Sequence, residues 1–271
     1  MHRPIETYRS SCESAGNAVI HICKDCIFMV RFTGEMTLAI FEALMHPRHI
    51  RWKDTLYYMQ LCGSQSLPIV ALLSYLMGLI IGLQSAVQLQ KFGGEVFIAD
   101  LIGFSVLKEL GPLMVAMIAT GRAGASFAAE IGSMKAAEEI DAMETMGFRP
   151  HRFLVIPKLL ALVIAIPILS VFSDLSGILG GMTVGSVYLD LPINSYIARS
   201  VEVLYPSAFL EGIIKSIVYA FLISVAGCMR GFQAERDAQG VGRATTSAVV
   251  TGIFLVVIAN AIMTILFILL R

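Results

Sequence analysis

From Thr55 to Gln90 the chain carries no charged side chain, and from Thr245 to Leu270 it carries none again. Uncharged runs this long decide the fold class. About 20 apolar residues in a helix cross the hydrocarbon of a bilayer, and Leu67 to Leu83 alone gives about 26 Å of helix. Charged residues make up 15% of the chain, against about 25% in soluble domains. The expectation is an all-α integral membrane protein.

Five spans are predicted, over about 64–86, 98–121, 153–175, 208–229 and 246–270. Within the first, Gly78 and Gly82 form a small-xxx-small pair suited to close helix contact. Gln84, Gln88, Gln90 and Lys91 mark its polar exit, and Phe92-Gly93-Gly94 a turn. The third is expected to stop near Asp174, with Pro157 and Pro167 kinking it. Gly177, Gly180, Gly181 and Gly185 then open a loop that runs to about Pro206.

Basic residues set the orientation. Arg3, Arg9, Lys24, Arg31, Arg48, Arg51 and Lys53 precede span one. Arg122, Lys135, Arg149 and Arg152 lie between spans two and three, and Arg230, Arg236 and Arg243 between four and five. The other connections and the end of the chain carry only Lys91, Arg199 and Arg271. The N-terminus is therefore expected in the cytoplasm and the C-terminus outside.

Residues 1–54 read as a separate region and 55–271 as the membrane domain. Over 16–45 apolar clusters alternate with His21, Lys24, Asp25, Arg31 and Glu35, which suits a helix lying in the headgroup plane. Trp52, Tyr57 and Tyr58 add an interfacial belt. The first residues show no apolar signal core and no small-residue cleavage site. Cys23-Lys-Asp-Cys26 is a CxxC, but a zinc site needs four ligands and only His21 is near. Two small apolar side chains on an interfacial helix is the preferred reading. Five cysteines imply no disulfide framework.

Charges inside spans are costly and point to function. Lys108 and Glu109 lie in span two, followed by Gly111-Pro112. Proline removes the donor for the carbonyl four residues back, that of Lys108. Glu211 and Lys215 lie in span four. Spaced i, i+4, they can pair with each other; alternatively Lys215 reaches Glu109. After span two, Ala136, Ile140, Met143 and Gly147 fall on one helical face, with Lys135, Glu138 and Asp141 off it. Gly147 and Pro150 end this segment. It reads as a short helix on the cytoplasmic side.

No GxxxxGK[ST], HExxH or GxSxG occurs, so neither a nucleotide loop nor a hydrolase signature is present. No basic face with interleaved aromatics suggests nucleic acid. Two readings remain: a translocation subunit with an external motor, or a stand-alone channel or secondary transporter that uses the intramembrane Lys and Glu residues as an ion path.

Five blocks in order, Lys108-Glu-Leu-Gly-Pro112, Gly121-Arg-Ala-Gly124, Ala129-Glu-Ile-Gly132, Glu138-Glu-Ile-Asp-Ala-Met143 and Gly242-Arg-Ala-Thr-Thr246, together resemble the MlaE/YrbE permeases of MCE-associated ABC transporters. The resemblance covers about residues 55–270. It implies a homodimer served by an MlaF-type ATPase that binds ATP and magnesium, a hexameric MlaD-type MCE protein, an MlaB-type STAS protein and phospholipid as cargo, with no cofactor in this chain. It implies that Glu138, Glu139, Ile140, Asp141, Met143 and Gly147 belong to a coupling helix. It places Leu110 and the stretch from Ile81 through Leu89 to Phe92 along the lipid path, and makes Lys108, Glu109, Lys215 and Arg243 positions of family charge.

Overall fold

The computed structural model describes residue 27 and residues 29–38, 51–203 and 205–270. Residues 29–38 are helical and belong to a compact unit, Met1–His49, distinct from the unit Ile50–Arg271. The CxxC cysteines, most of the predicted interfacial helix and Arg271 lie outside the described residues.

The larger unit contains α1 (Trp52–Cys62), α2 (Leu67–Gln90), α3 (Ile98–Ala136), α4 (Glu139–Thr145), α5 (His151–Val187), α6 (Ile193–Val203), α7 (Pro206–Gln233) and α8 (Ala238–Leu269). No strand occurs among the described residues. Five stretches are long and apolar enough to cross a membrane: Trp52–Gln90, which joins α1 to α2, and helices α3, α5, α7 and α8. The chain is an all-α integral membrane protein. α5 is the central post, packed against α1, α2, α3, α6 and α7. One end of the bundle carries the α2–α3 turn and α6. The opposite end carries α1, α4 and the α7–α8 connection.

The turn after α2 follows the sequence. Gly93 takes φ +66°, and the amide of Gly94 donates to the Leu89 carbonyl at 3.1 Å. Pro68 sits in the first turn of α2, where a missing N–H costs nothing.

Two expectations of loop are corrected, and one helix starts before its uncharged run. α5 does not stop near Asp174. It continues through the glycines to Val187, and Pro167 lies inside it without ending it. A Cβ on Gly78 would stand 2.0 Å from the Gly177 carbonyl oxygen, and one on Gly180 would stand 2.1 Å from that of Tyr75. These glycines bring α2 and α5 into backbone contact rather than opening a loop. Small residues at such a seam gain dispersion contacts that outweigh their weak helix propensity. The buried hydroxyls of Ser74 and Ser173 cross the same seam at 2.6 Å.

The connection expected to be loop holds α6. Its buried side, Tyr196 and Ser200, faces the core, and Tyr196 packs with Ile98, Ala99, Ile102 and Val184. Ile193, Ile197 and Val201 are exposed on its other side. Finally, α8 begins at Ala238, ahead of the uncharged run, because Asp237 caps it: its carboxylate accepts from the Gly240 amide at 2.8 Å, satisfying an otherwise unpaired donor.

Two segments of α3 are π-helical, Val106–Leu110 and Thr120–Gly124. The first lies just before Pro112. Such wide turns occur often at functional sites, and this one holds Lys108 and Glu109.

Candidate functional site: a crossed ion-pair node inside the bundle

The π-turn at Val106–Leu110 displays Lys108 and Glu109 to α7. There Gly212 lets the two backbones close: a Cβ on it would lie 2.5 Å from the Leu107 carbonyl oxygen. Two ion pairs form across this contact. Lys215 Nζ donates to Glu109 Oε1 at 2.5 Å, and Lys108 Nζ lies 2.8 Å from Glu211 Oε2. The local i, i+4 pairing of Glu211 with Lys215 is thus replaced by two interhelical pairs.

Further bonds hold the node. Lys215 also donates to the Lys108 carbonyl at 3.1 Å, the acceptor that Pro112 deprives of its helical donor. It donates to the Thr264 hydroxyl at 2.9 Å, and Thr264 in turn donates to Glu109 Oε1 at 2.8 Å, so α8 joins the node. Lys108 also sits 4.7 Å over the Phe104 ring, a favourable site for a cation. One layer along, the Tyr219 hydroxyl donates to Asn260 Oδ1 at 2.7 Å, again linking α7 to α8. The Lys215 side chain is only 2% exposed. An unpaired ammonium there is untenable, and two carboxylates against two ammonium groups leave no net charge.

The apolar candidates separate into two places. Leu89 and Phe92 line an open hollow of 810 Å³ with Leu83, Val87 and Leu101, and Gln84, Ser85 and Gln88 supply its polar groups. That volume lies in the range of ligand pockets. Ile81 and Leu110 instead face a small void of 10 Å³ beside Gly78, Met114 and Ser173. Neither lining contains Lys108, Glu109 or Lys215.

At the far end of α3 the chain turns sharply. Glu138 adopts φ 59° and Gly147 φ 81°, and between them runs the short helix α4. Ile140 is its buried residue. Glu139 is exposed and Met143 half-buried, while Met146 and Phe148 are exposed apolar side chains beyond it. Arg236, from the α7–α8 connection, holds α4 by Asp141 at 2.6 Å and Glu138 at 3.6 Å. Arg243 pairs with Glu235 in the same connection. Lys135 donates to the Phe232 carbonyl near the end of α7 at 2.6 Å.

Sequence reasoning missed Thr264 and the role of Arg236 as a tether. It also missed a second polar node joining Tyr58, Glu130 and Lys158. Lys158, a cation within an apolar span, was the one signal for that node. Among the described residues no three His, Cys, Asp or Glu side chains gather as a metal site.

The family model for Permease MlaE matches residues 55–266. The chain is 39% identical over 205 residues to a probable ABC transporter permease protein of Rickettsia prowazekii, covering 76% of this chain and 79% of that one. It is 33% identical over 239 residues to the intermembrane phospholipid transport system permease protein MlaE of Haemophilus influenzae, covering 86% and 91%. It is 28% identical over 230 residues to the chloroplastic protein TRIGALACTOSYLDIACYLGLYCEROL 1 of Arabidopsis thaliana, covering 85% and 64%. With its matched region running through all five apolar helices, the chain belongs to the MlaE permease family.

Proposed function

We propose that this chain is the membrane-spanning subunit of an ABC transporter that moves phospholipid between the inner membrane and a periplasmic MCE protein. Two copies form the passage, and a separate MlaF-type ATPase supplies the energy. A hexameric MlaD-type ring receives or delivers the lipid, with an MlaB-type protein on the cytoplasmic side. The observation that carries this reading is the 33% identity, across nearly the whole of both chains, to a permease whose name states intermembrane phospholipid transport.

The geometry supports it. A diacyl lipid needs apolar walls and a few polar groups, and the hollow between α2 and α3 offers both. Its neighbour in the second copy would complete it. The node of Lys108, Glu109, Glu211 and Lys215 acts as a hinge that ties the α3 π-turn to α7 and α8. Lys108 reaches a lipid phosphate only by exchanging it for the Glu211 carboxylate. Glu109 meanwhile keeps Lys215 neutralised. The match to the MlaE permease family favours this reading over a free-standing ion path.

At the other end, α4 is the part that docks on the ATPase. It is short, tethered by Arg236 and flanked by exposed Met146 and Phe148. The basic residues on its side support a cytoplasmic position. The test is copurification. The wild-type chain brings down its ATPase, and the pair hydrolyses ATP faster than the ATPase alone. A chain that never contacts an ATPase contradicts the proposal.

A further inference from the structure

Near its α4 end, α3 carries a second polar node. Glu130 Oε1 accepts from the Tyr58 hydroxyl of α1 at 2.5 Å and from Lys158 Nζ of α5 at 3.0 Å. Lys158 donates to the Tyr58 oxygen as well, at 3.0 Å. Its ammonium lies 4.5 Å over the Tyr58 ring and 5.8 Å from that of Phe127. The two rings meet edge to face at 5.7 Å. The Lys158 side chain is 1% exposed and that of Glu130 is 37% exposed. A single carboxylate oxygen therefore holds three helices together, and it is the only anionic partner the buried ammonium has among the described ion pairs.

The position of this node is what matters. Glu130 stands two turns before the start of α4, on the helix that also bears Lys108 and Glu109. The two nodes are about 32 Å apart along α3 at 1.5 Å per residue. Tyr58 stands on α1, which passes through the 3-10 turn Ser64–Ser66 into α2, the helix that lines the lipid hollow. Arg122, within the π-segment between the nodes, holds that same turn. It donates to the Gln65 carbonyl at 2.5 Å and to Gln65 Oε1 at 2.9 Å. The Glu130 contacts and the Arg122–Gln65 bonds thus tie α3, close to α4, to α1, α5 and the root of α2.

We propose that Glu130 is a positioning residue for transport: held by Lys158 and Tyr58, it passes the ATPase-driven movement of α4 to α1, α5 and the lipid-lining α2. The inference rests on the reading of the chain as an ABC permease. Glu130 touches neither nucleotide nor lipid. Its removal leaves hydrolysis running and weakens its conversion into lipid movement.

The test uses the full complex in proteoliposomes. Phospholipid moved and ATP hydrolysed are measured together, with the thermal midpoint of each variant alongside. Glu130→Gln keeps the shape and removes the charge. Tyr58→Phe removes one hydroxyl and keeps the ion pair. Ser133→Ala, on the same helix, serves as control, since its hydroxyl bonds only the Glu130 backbone carbonyl. The expected result is at least about a fivefold fall in lipid moved per ATP for Glu130→Gln and Tyr58→Phe, the lower end of usual coupling between sites, and no change for Ser133→Ala. A lower thermal midpoint with lipid per ATP unchanged makes the node merely structural and overturns the inference. Should Glu130→Gln fail to assemble, Tyr58→Phe alone decides. A wild-type complex that hydrolyses ATP and moves no lipid overturns the parent reading, and this inference with it.

Discussion

Removing both members of the Glu109–Lys215 pair should cost less than the two single removals added together. Glu109→Ala leaves the Lys215 ammonium, 2% exposed, with only the Lys108 carbonyl and the Thr264 hydroxyl. Stranding a buried charge costs about 3–5 kcal/mol; two remaining acceptors put this case at about 3 kcal/mol. Lys215→Ala leaves Glu109, whose side chain is 33% exposed and keeps the Thr264 donor. It also orphans the Lys108 carbonyl, for a total of about 2 kcal/mol. Independent sites would make the double variant about 5 kcal/mol less stable. With both ions gone, about 3 kcal/mol is expected, a coupling of about 2 kcal/mol. Unfolding of the purified protein by SDS titration measures the cycle, and vesicle transport should follow it, impaired in each single variant and partly restored in the double. Additive stabilities, or normal transport in both single variants, would refute the argument.

Other perturbations test other parts of the structure. Glu138→Lys with Asp141→Lys sets two cations against Arg236; the permease stays folded while its ATPase copurifies poorly, and unchanged copurification and activity would count against α4 as the docking element. Gly180→Val forces side-chain atoms into the Tyr75 carbonyl, so the yield of folded protein should collapse, whereas Gly121→Val, which meets nothing within 4 Å, should be tolerated. Leu89→Trp fills part of the 810 Å³ hollow; mass spectrometry should find less bound phospholipid per protein. Pro112→Ala returns an N–H to compete with Lys215 for the Lys108 carbonyl, and transport should change more than stability does.

The sequence carried the five spans because a run without charges admits few alternatives in a bilayer. It read loop in place of helix where residue type alone misleads. Gly177 and Gly180 read as loop formers, yet their missing side chains are what α2 requires in order to lie against α5. α6 was hidden because eleven residues with a mixed pattern look like a connection until Tyr196 has a core to enter. The four intramembrane charges were visible, and Lys215 with Glu109 was one of the two pairings left open, but Lys108 with Glu211 was not foreseen. Local spacing joins Glu211 to Lys215, and only the closeness of α3 and α7 at Gly212 crosses the pairs. The orphaned Lys108 carbonyl, by contrast, followed directly from Pro112, and the structure supplies its donor from Lys215. The Tyr58–Glu130–Lys158 node joins residues too far apart in the chain for any periodicity to reveal.

ATP-dependent phospholipid transfer tests the central claim most directly. The permease is reconstituted with its ATPase and MCE partner, and labelled phospholipid is followed between vesicle and carrier. Transfer should require ATP, the ATPase and this chain together, and should stop when any one is left out. Lipid or ion flux through the chain alone, indifferent to ATP, would contradict it.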